Sequence, residues 1–430
     1  MSQSIDAQLI TTLAPYLITD YEKLRYKTTP GLKNAFINGE VREFELTYNE
    51  PKLLDYTAAF YALEKIGEDV LHFESVICRA YLPKLKELKN RFVLLHATSR
   101  QDDKTFFEQS EILYGLPKLP YYQYAMRGLG TLLSKVASLG LVDDRVQRAL
   151  DAMTSLQVNH APTSWDSIVL PPLVRSLDNH ILTSTEIKHM CENAFVDYGI
   201  DGWKAVVDRP GERITFNVNQ EENVLYIPHD EDIRLRKYPL TRIKMEALIA
   251  HEIGTHIVRR QNGDKSPLAL LGSGLAGYLP GEEGIATYRE QSVRGAVQFS
   301  GVTGYLAISW VVGLDGTPRS FRELFEIMVP YLFLSVIEQR VQNNLPLDLD
   351  TIEANVKRNA WARCIRTFRG VTGKTPGYCL TKDIIYLEGN IAIWQLLEAK
   401  PDFQQNFSIG KYDPTNKKHM SILQELGLLQ

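Results

Sequence analysis

Cysteine is scarce in this chain: 430 residues hold four, Cys78, Cys191, Cys364 and Cys379, and no two form a Cys-x-x-Cys pair. Without such a pair the cysteines read as scattered reduced thiols, which fit a cytoplasmic setting. Excess charge of either sign is also missing. Forty-eight Lys and Arg face 52 Asp and Glu, a formal net charge of −4, so no strong positive field draws nucleic acid. The short basic runs at Lys84–Lys86–Lys89–Arg91, Arg234–Arg236–Lys237 and Lys417–Lys418 sit among acidic residues and read as solvated faces. The longest apolar runs, Gly301–Leu314 and Ile327–Ile337, fall short of the roughly 18 residues that a membrane helix needs. The N-terminus has no basic n-region and an early Asp6, which argues against a secretory signal. No repeat and no low-complexity tract interrupts the chain.

What is present describes a folded globular protein: 44% apolar and 23% charged residues. The length predicts two or three structural units. A chain this long buries a core without metals or disulfides as staples, so a metal would serve chemistry rather than folding. Residues 1–160 read as a mixed, mainly helical N-terminal domain, with helices over Pro51–Ile66 and Glu68–Leu88 and a strand over Val41–Tyr48. A boundary is expected in Asn159–His180, which holds three prolines and little periodicity. Residues 161–430 form the second unit. It opens with a helix over Thr183–Tyr198, where Thr183 and Glu186 have capping-box spacing. Short strands follow at Trp203–Val207, Arg213–Val218 and Asn223–Ile227, expected as a meander with Ile214, Phe216 and Val218 on one face. Beyond Leu240 the pattern is helical. The fold class is α+β, mostly helical with a small antiparallel sheet.

The chemistry concentrates in LTRIKMEALIAHEIGTHIVRR, residues 240–260. Apolar Ile243, Ala247, Ile249, Ala250, Ile253 and Ile257 predict a largely buried helix, with Thr241 at its N-cap. Within it lie His251, Glu252 and His256, the pattern H-E-x-x-x-H. The zinc-protease motif H-E-x-x-H spaces its histidines four apart on one helix face. At a spacing of five, a regular helix leaves the imidazoles roughly 140° apart, and both could not reach one ion. One inserted residue, a π-bulge, restores the alignment, and Gly254 is where a distorted backbone is easiest to accommodate. The expectation is therefore a local distortion at Ile253–Thr255. A Glu and two imidazoles inside an apolar helix are costly unless something pairs them, and a metal would do so.

A catalytic zinc takes three protein ligands and leaves one position for water. The next helix, from Pro280–Gly281 through EEGIATYREQSVRGA, offers Glu283, with Glu282 and Glu290 nearly as eligible by spacing alone. Glu290 lies seven residues after Glu283, on the same face, and could support a ligand rather than be one. Gly272-Ser-Gly274-Leu-Ala-Gly277 matches G-x-G-x-x-G, but Pro280–Gly281 interrupts the chain where a dinucleotide site needs a helix N-terminus. It reads as a loop between the two metal-bearing helices.

H-E-I-G-T-H (251–256), Asn262–Gly263 and E-E-G-I-A (282–286) resemble the bacterial proteins named for a QEGLA motif, which carry a label of modulating flavohaemoglobin expression. The same domain occurs in the eukaryotic microtubule-associated tyrosine carboxypeptidases. The resemblance continues through Phe368–Arg369–Gly370 and Thr381–Lys382–Asp383–Ile384–Ile385–Tyr386–Leu387–Glu388–Gly389, covering roughly residues 30–400. Glu282 for Gln and Ile285 for Leu are its departures. It implies a zincin-like catalytic domain in which His251, His256 and Glu283 ligate zinc and Glu252 is the general base. It also implies removal of a C-terminal aromatic residue, tyrosine in tubulin.

Such a reaction uses zinc to activate water and polarise the carbonyl, and Glu252 to move the proton. An exopeptidase acting at a C-terminus also needs a cation for the free carboxylate. Arg358, Arg363, Arg366, Arg369 and Lys382 are available. Arg369 and Lys382 are chosen because they lie in the resembling segments, and Tyr386 is the candidate to steady the oxyanion. The expected partner is the C-terminus of a peptide or protein, with no nucleic acid and no membrane. Two other readings stand beside this one: an endo- or aminopeptidase using the same zinc, and a regulatory binding protein whose metal site is not catalytic.

Overall fold

A computed structural model describes the chain except for residues 1, 18–23, 25, 28–30, 44, 49–55, 74, 157–161, 175–179, 214, 220, 221, 235–239 and 430. Helices dominate it, and its strands are short. The outcome is α+β, with one two-stranded and one three-stranded sheet.

In the first sheet, β1 (Tyr26–Lys27) pairs antiparallel with β2 (Thr47–Tyr48). The strand expected over Val41–Tyr48 is confined to its last two residues because Leu46 gives its N–H to Thr372 O at 2.9 Å, away from any strand partner. The helix read over Glu68–Leu88 is two helices, Tyr56–Val70 and Ser75–Ser99. They are separated where Leu71, His72 and Phe73 bond back to the end of the first. Of the helix expected from Pro51, residues 51–55 lie outside the described ones.

The second sheet corrects the expected meander. Its strands β3 (Lys204–Val207), β4 (Asn217–Asn219) and β5 (Val224–Ile227) run in the order β3-β5-β4. The β3–β5 pair is parallel, and β4 pairs with β5 antiparallel. Burial decided the order. Leu225 and Ile227 are 1% and 0% exposed, so β5 takes the centre, while β3, with Val206 39% exposed, takes an edge. Ile214, expected to share a face with Phe216 and Val218, lies outside the described residues; the other two pack on the core below the sheet.

Two cores hold the site. Beneath the second sheet, Ile187, Phe195, Leu225 and Ile227 meet Met245, Ile253 and Ile257 of the histidine-bearing segment. Full burial of one such aliphatic side chain stabilises by about 2 kcal/mol, so the sheet anchors one face of that segment. The expected capping box is present: Thr183 Oγ1 accepts from Glu186 N at 3.2 Å, and the Glu186 carboxylate accepts from Thr183 N at 2.7 Å. On the other side, the helices Leu279–Arg294 and Ile384–Ala399 pack so closely that a Cβ on Gly284 would lie 2.4 Å from Gly389 O. The largest cluster draws on residues from both sides of the expected boundary near 160, among them Leu129, Phe106, Trp310 and Trp361.

Candidate metal centre

The helix Arg242–His251 opens at Thr241, whose backbone is extended there but whose side chain makes no capping bond. At Glu252 the helix widens into a π-turn, Glu252–Ile257, before resuming as Val258–Asp264. The distortion expected at Ile253–Thr255 lies inside it. In an i→i+5 turn, residues five apart come into line, and the imidazoles of His251 and His256 stand 5.2 Å apart between ring centres. Two bonds support the widened turn. Thr255 Oγ1 donates to Ala250 O, five residues back, at 3.0 Å, and Arg289 of the next helix donates to Gly254 O.

The helix Leu279–Arg294 supplies the third group. Ligand atoms of His251, His256 and Glu283 all lie within 4.8 Å of one another. Each imidazole is oriented by a carboxylate of that same helix. His251 Nδ1 is 3.1 Å from Glu290 Oε2, and His256 Nδ1 is 2.8 Å from Glu282 Oε1. With Nδ1 engaged, Nε2 is the nitrogen each ring can offer a metal, and such carboxylate–histidine pairs fix ring orientation and tautomer. Two imidazoles and one carboxylate are a donor set suited to zinc, so the residues fit the ion that the resemblance implies.

Buried charge is distributed unevenly around these groups. Burial raises the Glu283 pKa, opposed by the two histidines. Burial lowers that of His256, but Glu282, Glu283 and Glu252 outweigh it and raise the value to about 9. A metal would answer the same negative charge. Burial also raises Glu282, yet the Arg259 guanidinium and His256 hold it down to about 2. Arg259, 0% exposed, donates to Glu282 Oε2 at 2.5 Å, Gly410 O at 2.7 Å and Tyr412 O at 2.6 Å. The C-terminal segment is thereby tied to the metal site. Neither Arg259 nor this use of Glu282 was read from sequence. The available signal was an arginine one helical turn past His256 in a segment predicted to be largely buried.

Glu252 lies within electrostatic reach of His256 and Glu283. Tyr386, at the start of the helix Ile384–Ala399, lies within electrostatic reach of Glu283. Its phenol pKa is raised by burial and by the Glu283 charge. The Arg366 guanidinium sits 5.6 Å from its ring centre and binds Asp383 through bonds of 2.6 and 2.9 Å. Arg363 reaches the same carboxylate at 2.8 Å. Arg369 lies in the turn after the helix Leu349–Thr367, within electrostatic reach of the Tyr48 phenol. Lys382 sits in the short 3-10 turn Thr381–Asp383, its pKa pushed down to about 8 by burial against the opposing Asp383 charge. The Gly272–Gly277 segment is a four-residue helix, Leu270–Ser273, followed by a bend at Gly274 and Gly277, both at positive φ, as expected of a loop.

The family model described as microtubule-associated tyrosine carboxypeptidase matches residues 351–430, a segment that holds Tyr386, Arg366 and Arg363 but not His251, His256 or Glu283. Microtubule-associated tyrosine carboxypeptidase 1 of Mus musculus is 28% identical over 171 residues, 39% of this chain and 31% of that protein. The Homo sapiens protein of the same name is 28% identical over 180 residues, 41% and 32% of the two chains. The chain thus matches about a third of the length of these relatives. No solved structure matches. No helix among the described residues is long and apolar enough to cross a membrane. Over residues 351–430, and at 28% identity over about two fifths of its length, the chain is thus similar to the microtubule-associated tyrosine carboxypeptidases.

Proposed function

We propose that the chain is a zinc-dependent carboxypeptidase, built on a zincin-like fold, that removes a C-terminal residue, an aromatic one by family relation, from a cytoplasmic peptide or protein. The observation that carries this reading is the convergence of His251, His256 and Glu283 ligand atoms within 4.8 Å of one another. The electrostatic reach of Glu252 to the same groups supports it. In this reading the three side chains would hold zinc, which would supply Lewis acidity and lower the pKa of a water toward neutrality.

The remaining steps belong to the chain's own residues. Glu252 takes a proton from the attacking water and returns it to the leaving amine nitrogen. Tyr386, kept protonated by its raised pKa, donates its hydroxyl hydrogen to the oxyanion that develops on the scissile carbonyl. Glu290 and Glu282 keep the imidazoles in one tautomer and one orientation throughout.

The test uses zinc-loaded protein and two peptides ending in Tyr or Phe, one with a free C-terminus and one amidated. Release of the terminal residue from the free peptide alone supports a carboxypeptidase. Equal cleavage of both points to an endo- or aminopeptidase, and no cleavage of any peptide to a binding protein. Glu252→Gln, with zinc retained, is expected to slow release by about 10²- to 10⁴-fold; unchanged release removes the base assignment.

A further inference from the structure

On the carboxypeptidase reading above, we infer that the substrate's last residue seats in the cleft at the C-terminal end of the helix Leu279–Arg294, its carboxylate held by Arg294 and Arg363. The cleft encloses about 390 Å³, and Arg294, Phe299, Ser300, Val302 and Arg363 are among the residues that line it.

Each arginine of the cleft is linked through one carboxylate to a group of the candidate site. Arg294 Nε donates to Glu290 Oε1 at 2.9 Å, and the other oxygen of Glu290 meets His251. Arg363 Nη1 donates to Asp383 Oδ2 at 2.8 Å; Arg366 holds the same Asp383 and lies against Tyr386. A residue in the cleft is therefore flanked by the groups that orient one metal ligand and the candidate oxyanion donor. Glu283, Glu290 and Arg294 share one helix face, and Arg294 lies one turn, about 6 Å of axial rise, beyond the carboxylate that holds His251.

The chemistry agrees. Arginine stays charged at every working pH and binds carboxylates through its planar fork. Arg363 gives Asp383 a single donor, whereas Arg366 gives it two. Asp383 thus keeps its main partner when Arg363 turns to a ligand. Gly304 preserves this arrangement, since a Cβ there would stand 3.2 Å from Asp383 Cβ and 3.4 Å from Arg363 Nη1. Buried Phe299 and Val302 give the cleft an apolar wall for a side chain. The smaller cavity beside Arg91 and Tyr114 encloses about 60 Å³, below the roughly 150 Å³ that accommodates one benzene ring.

The experiment has two readouts on the full chain. Calorimetry measures binding of L-phenylalanine, with phenylalaninamide as the control lacking a carboxylate. Kinetics measure release from the free-carboxylate peptide. Arg363→Gln and Arg294→Gln are each expected to weaken L-phenylalanine binding and raise KM by about 10- to 100-fold, with zinc content and melting temperature kept. Wild-type protein should ignore phenylalaninamide. Wild-type binding of L-phenylalanine by both variants overturns the assignment. So does a comparable loss confined to Arg369→Gln or Lys382→Ala. If wild-type protein cleaves nothing yet binds L-phenylalanine through these arginines, the carboxypeptidase reading fails and the carboxylate site stands.

Discussion

Glu282 binds two partners with its two oxygens: His256 Nδ1 lies 2.8 Å from one, and the buried Arg259 Nη1 lies 2.5 Å from the other. One carboxylate thus orients a candidate ligand and neutralises a guanidinium that has no exposed surface. Separating the two duties is a direct experiment. In Glu282→Gln the amide oxygen still accepts from His256, so zinc affinity should stay within about tenfold, whereas Glu282→Ala should lose about 10- to 100-fold. Stability should fall in both, because Arg259 keeps only the neutral carbonyls of Gly410 and Tyr412; breaking a buried pair costs about 3 kcal/mol. Zinc titration against a chromophoric chelator, alongside urea melts, separates the effects. Equal zinc loss in both variants would contradict this division.

Two glycines beside the site predict opposite tolerances. A Cβ on Gly284 would lie 2.4 Å from Gly389 O, a backbone atom of the facing helix, and neither helix can yield without moving Glu283 or Tyr386. A Cβ on Gly254 would meet Tyr198 Oη at 2.7 Å, the tip of a side chain that is 46% exposed and can swing outward. Gly284→Ala should cost about 3 kcal/mol and Gly254→Ala under about 1 kcal/mol. Thermal melts of the two variants check this, and a Gly254→Ala cost as large as that of Gly284→Ala would show the π-turn to be far less tolerant.

Glu87 carries a pH signature away from the metal. It accepts from Lys84 Nζ at 3.0 Å, Arg91 Nη2 at 2.9 Å and Gly277 N at 2.7 Å. Burial raises its pKa, but the two cations outweigh burial and hold it down to about 2. A folded value below the unfolded one, about 4.3, gives stability that is fully present above pH ~4.3 and lost as pH falls through ~2. Glu87→Gln should therefore be destabilised by about 3 kcal/mol at pH 7, and its deficit should shrink at pH 3. Urea melts at both pH values measure it; a deficit independent of pH would assign the effect to packing.

The sequence carried the centre of the site because the relevant constraints are local. A five-residue spacing of histidines in an apolar helix admits one metal only with a widened turn, and the π-turn at Glu252–Ile257 is that solution. Glu283 was one of three eligible carboxylates by spacing, and tertiary packing separates them: Glu283 joins the imidazoles, while Glu282 and Glu290 hold them. The strand order was not legible, because β5 won the central position through burial rather than chain order. Arg259 and the Arg363–Asp383–Arg366 cluster join residues 17 to 153 positions apart, and helical periodicity along one segment does not report such pairings.

Elemental analysis of purified protein for bound zinc, with and without His256→Ala, is the most direct measurement. About one zinc per wild-type chain and almost none in the variant, with the fold retained by circular dichroism, is the expected result. Wild-type protein that is metal-free and takes up no added zinc, or a His256→Ala variant that binds as much as wild type, contradicts it.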